Sequence, residues 1–568
     1  MKIVYYCFQI ISIKKRFNLL YNFMFFILII LFARLTYLQV VQSKKLIKEG
    51  NIRSLRIQSI PITRGLITDR MGRLLAISIP AYSVCVDPQE VIKYGGVSKN
   101  IHDWTKLSTI LSIPLNKLVS LISQNNTGHF FYLARQVDSS IYQCINQLKL
   151  PGVYLQKESK RYYPSGHITA HLIGITNIDN KGIEGVEKSF DAYLSGKPGT
   201  RIIRKDKYGR IVEEVVVKTS QNPKNIVLSI DEHIQYVAFN ELNNAIYNNK
   251  AESGSLVLID INTGEILAMV NSPSYNPNDL STATQHIMRN RAITDVFEPG
   301  STVKPIVIMA ALQHKIIKEN TVINTAPYIL DGYRIKDVVY HDQLTVQEIL
   351  QKSSNVGVSR LALAMPETTL IKIYANFGMG KATNIGLVGE SRGIYPIYNR
   401  YMSNIERATF SYGYGLMITP LQLAKVYATI GGMGIPKPLS IVRINSVSMK
   451  QSSEKPVFPK ALVRTVIDMM ESISAPGNSG HKAAIRGYRV AVKTGTVKKV
   501  GSEGKYINQY VAYTVGIAPA SDPRFALVVV INKPKNGHYY GGTVSAPVFS
   551  AVMGKTLKIM NVAPDTSQ

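Results

Sequence analysis

Cysteine is scarce in this chain. Three occur in 568 residues, Cys7, Cys85 and Cys144, far apart and without a C-x-x-C pair. That spacing encodes neither a disulfide framework nor a zinc site. A bridge between Cys85 and Cys144 would require an oxidising compartment, and free thiols are the expectation. The metalloprotease signature is missing as well. His167 and His171 are four apart, but Ile168 stands where H-E-x-x-H places its glutamate, so the general base is absent. No metal and no cofactor is expected.

Acidic residues are also in short supply. Asp and Glu number 37 against 66 Lys and Arg, a net charge of +29, which by itself would suit nucleic acid or an anionic surface. The basic residues are scattered, however. No zinc-finger spacing, RNA-binding aromatic motif or basic helix with heptads accompanies them, so no nucleic-acid partner is expected. Anionic lipid or an anionic polymer stays compatible with the charge. There is no internal repeat and no low-complexity tract. Hydrophobic residues at 45% and charged residues at 18% describe globular material, and the length exceeds what one core organises.

One long hydrophobic run is present. Phe17 to Ala33 is almost continuously apolar and Leu35 to Val41 extends it past Arg34, enough to cross a bilayer. The stretch Leu35-Thr36-Tyr37-Leu38-Gln39 offers no small-x-small cleavage site, so an uncleaved membrane anchor is expected over 17–41 behind an N-terminal segment 1–16. Lys2, Lys14, Lys15 and Arg16 on one side balance Arg34, Lys44, Lys45 and Lys48 on the other. The positive-inside count therefore does not set orientation.

After a linker over 42–58, residues 59–224 carry short β-like runs, such as Ser83 to Val86 and Ile211 to Val217, between Gly and Pro. They read as a small α+β module without a catalytic signature. Residues 225–560 differ. Strand-like runs occur at Ile226 to Ile230 and Ser255 to Ile259, and the turn Asn262-Thr263-Gly264 joins the latter to Ile266 through Val270 as a hairpin. Tyr510 to Ile517 and Phe525 to Ile531 form a second hairpin pattern. Strands at both ends of a helical middle predict one antiparallel sheet with helices packed on it. The fold class is α+β, and 561–568 is a tail.

The chemistry lies in that last region. Glu298-Pro299-Gly300-Ser301-Thr302-Val303-Lys304-Pro305 precedes the apolar run Ile306 to Leu312. The Pro-Gly turn puts Ser301 at the N-terminus of a helix buried on all sides, with Lys304 one turn on and its amine within reach of the hydroxyl. Burial and neighbouring positive charge lower a lysine's pKa until it takes a proton from serine. The helix N-terminus supplies N–H groups where an oxyanion forms. S-x-x-K alone is weak, since Ser12-Ile13-Lys14-Lys15 also fits it. The buried helix behind Ser301 separates the two.

Ser353-Ser354-Asn355 offers a second hydroxyl and an amide two residues apart, a pattern that Ser123-Gln124-Asn125 and Ser220-Gln221-Asn222 match as decoys. Lys493-Thr494-Gly495-Thr496 carries the chain's single K-T-G, at the end of a strand-like Tyr488 to Val492. Singly, these are a serine cap, a turn and a strand-end lysine. All three in this order are not ordinary.

Together they resemble the class B penicillin-binding proteins, specifically the septal, cell-division type of peptidoglycan D,D-transpeptidase. Three further stretches resemble that family's non-catalytic, dimerisation-type pedestal: Arg64 to Arg73 followed by Leu75-Ala76; Arg161-Tyr162-Tyr163-Pro164 with Ala170-His171; and Gly182 to Glu187. His167 and His171 would be structural within it. One departure is Val492, where many members have glycine before K-T-G.

The resemblance implies a transpeptidase domain of penicillin-binding and β-lactamase type over 225–560. Ser301 would be its nucleophile and Lys304 its base, with oxyanion donors from the Ser301 and Thr496 backbones. Ser353 would relay a proton to the departing amine, and Asn355 would hold substrate amide and lysine. Lys493 would supply positive charge, and Thr494, Gly495 and Thr496 would bind the donor's carboxylate end. It further implies D-Ala-D-Ala stem peptides and β-lactams as ligands, release of D-Ala, and the inner membrane with the bulk in the periplasm. A polytopic septal glycan polymerase and other division proteins would be partners. The elongation-type transpeptidase is the near alternative, disfavoured because no cysteine follows Cys144. A β-lactamase would need a group activating deacylating water, and no such carboxylate is identifiable. A non-catalytic division scaffold is the alternative of another class, and the intact motifs argue against it.

Overall fold

The computed structural model describes residues 2–566 apart from 61, 127–129, 198, 207–210, 219–221, 397–400, 445–454 and 502. The Ser220-Gln221-Asn222 decoy lies partly outside the described residues, as does the side chain of Cys7. Cys85 and Cys144 are both free.

Residues 1–62 and 196–222 form one compact unit. Its helix runs from Lys2 to Thr36 and continues as a short π-helix to Val41. Within it Ile13–Val41 has a mean hydropathy of 2.2 and no buried residue. A helix apolar on every side and covered on none is the pattern of a membrane span. The unit also holds an antiparallel sheet of Leu55–Ile60, Gly199–Lys205 and Ile211–Lys218.

Residues 63–195 and 223–568 form the second unit. In its first part the strand Leu74–Val86 pairs antiparallel with Val153–Tyr162 and Phe131–Val137. Trp104, Leu107, Ile122 and Ile145 pack against Val84 and Val86 beneath it. Three stretches that the sequence keeps apart meet at one buried carboxylate. Glu187 takes Arg64 Nε at 2.5 Å and Arg161 Nε at 2.6 Å, and Arg64 Nη1 also reaches Asp191 at 2.6 Å. Two guanidiniums neutralise what one buried carboxylate could not carry alone. The histidines serve packing: His171 lies 2.8 Å from the Ile287 carbonyl and His167 rests against the Phe239 ring.

The second part is built on a five-stranded antiparallel sheet. We label its elements α1 (Glu232–Asn248), β1 (Ser253–Asp260), β2 (Ile266–Ser272), α2 (Lys304–Gln313), α3 (Asn355–Ala364), α4 (Pro420–Gly431), β3 (Ala491–Val500), β4 (Tyr506–Ala518), β5 (Phe525–Asn532) and α5 (Ala546–Ile559). The spatial order is β2-β1-β5-β4-β3, so both expected hairpins form and the end of the chain closes against the start of the domain. Every residue of β1 is buried, because helices cover both faces. The pair α1 and α5 packs on one face, and α4 covers the central strands from the other. α1 starts where Asp231 accepts the His233 and Ile234 amides, and α4 where Thr419 and Gln422 form a capping box ahead of Pro420.

Two readings are corrected. Of the run Ile226 to Ile230 only Ile226–Val227 is strand, and it pairs in parallel with Ile67–Thr68 rather than joining the catalytic sheet. The K-T-G motif does not end a strand. β3 begins at Ala491 and runs on to Val500, because Lys493 to Val497 find backbone partners along Val515 to Val511 of β4.

Candidate active site

The nucleophile turn is held from behind. Gly300 has φ +50°, and a Cβ there would stand 2.5 Å from Tyr513 Oη and 2.7 Å from a Val497 methyl. Glycine therefore meets both the backbone and the steric demand. Its N–H donates to the Gly413 carbonyl at 3.1 Å, and Tyr513 Oη donates to the Glu298 carbonyl at 3.1 Å. The Glu298 carboxylate accepts the Gly415 N–H at 3.2 Å and Tyr506 Oη at 3.1 Å, and burial pushes its pKa up.

From this anchor Gly300–Val303 winds as a 3₁₀ turn into α2. In a 3₁₀ turn positions i and i+3 eclipse, which aligns Ser301 with Lys304 more closely than an α-helix would. Lys304 to Ala311 are all buried, so the Lys304 amine sits at the dry end of an apolar helix.

Among the described residues, the hydrogen bonds of that amine all run to one segment: Ser353 O at 2.5 Å, Asn355 Oδ1 at 2.7 Å and Ser353 Oγ at 3.2 Å. The expected contact to the Ser301 hydroxyl is not among them. Burial first, and the Lys493 charge second, hold the Lys304 pKa well below the usual lysine range, against an opposing pull from Asp337. A lysine amine that has lost its proton keeps two N–H donors, enough for the Ser353 and Asn355 carbonyl oxygens, and a lone pair that can take a proton from a hydroxyl.

Lys493 from β3 is also fully buried, and desolvation brings it down to about 7. Its amine donates to Ser353 Oγ at 3.0 Å and to Thr494 O at 3.2 Å. Ser353 thus links two buried lysines. Its φ of +58° is an uncommon conformation for a serine, held by the start of α3 behind it. Ser354 caps that helix by accepting the Gly357 N–H, and Asp337 accepts the amides of Asn355 at 2.5 Å and Val356 at 2.9 Å.

Ser301, Ser353, Asn355, Thr494, Gly495 and Thr496 line one cleft of about 480 Å³, and Lys304 and Lys493 lie buried at its floor. Every sequence-expected site residue is brought to this place. Thr496 Oγ1 accepts the Gly541 N–H at 3.0 Å, which ties together two residues of the cleft lining. Sequence reasoning missed the tyrosines Tyr412, Tyr414 and Tyr540 on the wall, the Gly413 support and Asp337. Of these only the Tyr412-Gly413-Tyr414-Gly415 alternation is a visible local signal.

A buried amine with a strongly lowered pKa, one turn from a serine at the rim of a cleft, equips an active-serine acyltransferase. The chain belongs to the penicillin-binding proteins: residues 254–554 match the penicillin binding protein transpeptidase domain and residues 59–228 the penicillin-binding protein dimerisation domain. It is 58% identical to the peptidoglycan D,D-transpeptidase FtsI of Escherichia coli (strain K12), over 97% of this chain and 93% of that one. Identity to the protein of the same name from Buchnera aphidicola subsp. Schizaphis graminum is 53%, over 98% and 97%. A crystal structure of a peptidoglycan synthetase from Bifidobacterium adolescentis shares the fold, with TM-score 0.71 at 23% identity over 90% of this chain and 98% of that one.

Proposed function

We propose that Ser301 Oγ attacks the carbonyl of the penultimate D-Ala of a stem pentapeptide while Lys304 Nζ takes the hydroxyl proton. The tetrahedral oxyanion points to the backbone N–H groups of Ser301 and Thr496. Collapse expels the terminal D-Ala, whose amine receives a proton through Ser353, and leaves an ester on Ser301. An amine from a neighbouring stem peptide then attacks the ester, forming the cross-link and freeing the serine. Asn355 holds the donor amide. Lys493, Thr494, Gly495 and Thr496 receive its terminal carboxylate. The reaction is peptidoglycan D,D-transpeptidation at the division septum, and β-lactams acylate the same serine.

The substrate lies outside the inner membrane, so residues 1–16 are cytoplasmic, 17–41 span the bilayer, and the pedestal (59–224) and transpeptidase domain (225–560) are periplasmic. Glycan chains come from a partner, a polytopic septal polymerase working with other division proteins. One observation carries the reading: Lys304 is fully buried one turn after Ser301, and among the described residues its amine bonds only Ser353 and Asn355 and forms no ion pair.

The test is covalent labelling by a fluorescent penicillin. A persistent adduct on wild type, lost in Ser301→Ala, is expected. No adduct, or an adduct surviving that substitution, would sink the proposal, and rapid loss of label would mark a hydrolase instead.

A further inference from the structure

Asp337, in the loop after the strand Tyr333–Ile335, lies against the Ser353–Asn355 segment without belonging to any motif read from the sequence. The hairpin Tyr328–Leu330 and Tyr333–Ile335 delivers Asp337 to the N-terminus of α3, where one carboxylate gathers three donors. Oδ1 accepts the Asn355 N–H at 2.5 Å and the Val356 N–H at 2.9 Å, and Oδ2 accepts the Ser354 hydroxyl. These are the first orphan amides of the helix and its capping side chain. Through them Asp337 fixes the residue whose Oδ1 receives the Lys304 amine at 2.7 Å. The following residues Val338 and Val339 are strongly exposed and line the cleft, so the same short segment borders the substrate site and clamps its base.

From this geometry we infer that Asp337 is a positioning residue for the reaction. It holds the start of α3 so that Asn355 Oδ1 stays on the Lys304 amine. The inference rests on the acyl-transfer reading above. The charged groups acting on the amine are Lys493 from β3, which disfavours its proton, and Asp337, which favours it. Removing the carboxylate charge therefore leaves Lys304 deprotonated to lower pH.

The experiment measures the acylation rate of the full-length, detergent-solubilised protein by fluorescent penicillin across pH, with Tm recorded alongside. Asp337→Asn keeps the shape and one carbonyl acceptor, and its acidic limb is expected to move to lower pH than in wild type. Asp337→Glu restores the charge and is expected to bring the limb back. Asp337→Ala loses both functions, and its plateau rate is expected to fall ~100-fold, the scale of a small misplacement in a catalytic constellation. Ser354→Ala removes a capping hydroxyl without touching charge, and should lower Tm and rate while leaving the limb in place. A limb unmoved in Asp337→Asn, or a wild-type plateau in Asp337→Ala, overturns the proposal. A wild type that takes no label on Ser301 overturns the acyl-transfer reading, and this one with it.

Discussion

Ser353 Oγ lies 3.2 Å from the Lys304 amine and 3.0 Å from the Lys493 amine, and both lysines are fully buried. Two ammonium groups that contact one buried hydroxyl repel, and the Lys493 charge adds to burial in lowering the Lys304 pKa. Burial lowers Lys493 to about 7 and holds Lys304 well below the usual lysine range. A rate reading the free enzyme should then be bell-shaped. It rises as Lys304 loses its proton and falls above about pH 7 as Lys493 loses the charge that attracts a carboxylate. In Lys493→Arg the charge persists to high pH, so the alkaline fall in penicillin acylation should vanish although the plateau is lower. An unchanged fall would place the titration elsewhere. Ser301, Lys304, Ser353, Asn355 and Lys493 were legible in the sequence because each sits in a short pattern. Asp337 was not. It stands sixteen residues before Ser353 in a loop with no periodicity, and its meaning arises only when the hairpin folds it onto α3.

At the scale of elements, the sequence foretold the helix at Ser301 and both hairpins, since an apolar run and alternating strands around turn residues are local signals. It did not foretell the 3₁₀ turn or the true start of β3, which tertiary partners decide. Gly495 shows how such partners bind two elements together. A Cβ at this position would meet Tyr513 Cε2 at 2.1 Å. Tyr513 cannot retreat: it is fully buried and its hydroxyl holds the Glu298 carbonyl of the nucleophile turn. Gly495→Ala should therefore destabilise by about 1–3 kcal/mol, the usual cost of overpacking, and slow labelling of Ser301 by disturbing that turn. Differential scanning calorimetry and labelling rates check both. Wild-type labelling in this variant would mean that β3 and the turn are not coupled through the ring.

The apolar N-terminal helix and the five-stranded sheet belong to different compact units, and each has its own physical support. The span Ile13–Val41 is 29 residues, about 43 Å of helix at ~1.5 Å per residue, more than the ~30 Å hydrocarbon layer requires. The core of the second unit is continuous from Ile67 through Leu557 without a residue of that span. Deleting residues 1–41 should therefore move the protein from the membrane fraction to the soluble fraction and leave its penicillin labelling rate within about twofold of wild type, the scatter of a change within ±0.5 kcal/mol. Loss of labelling in a folded truncate would show that the anchor supports the site. Orientation needs its own measurement, because Lys2, Lys14, Lys15 and Arg16 toward the start of the helix are balanced by Arg34, Lys44, Lys45 and Lys48 toward and beyond its end. A periplasmic site would follow from the polymer lying outside the inner membrane. Protease added to cells with a permeabilised outer membrane should digest the chain beyond residue 42 and spare a tag placed ahead of Lys2, whereas protection of the catalytic domain would reverse the topology and remove the enzyme from its substrate.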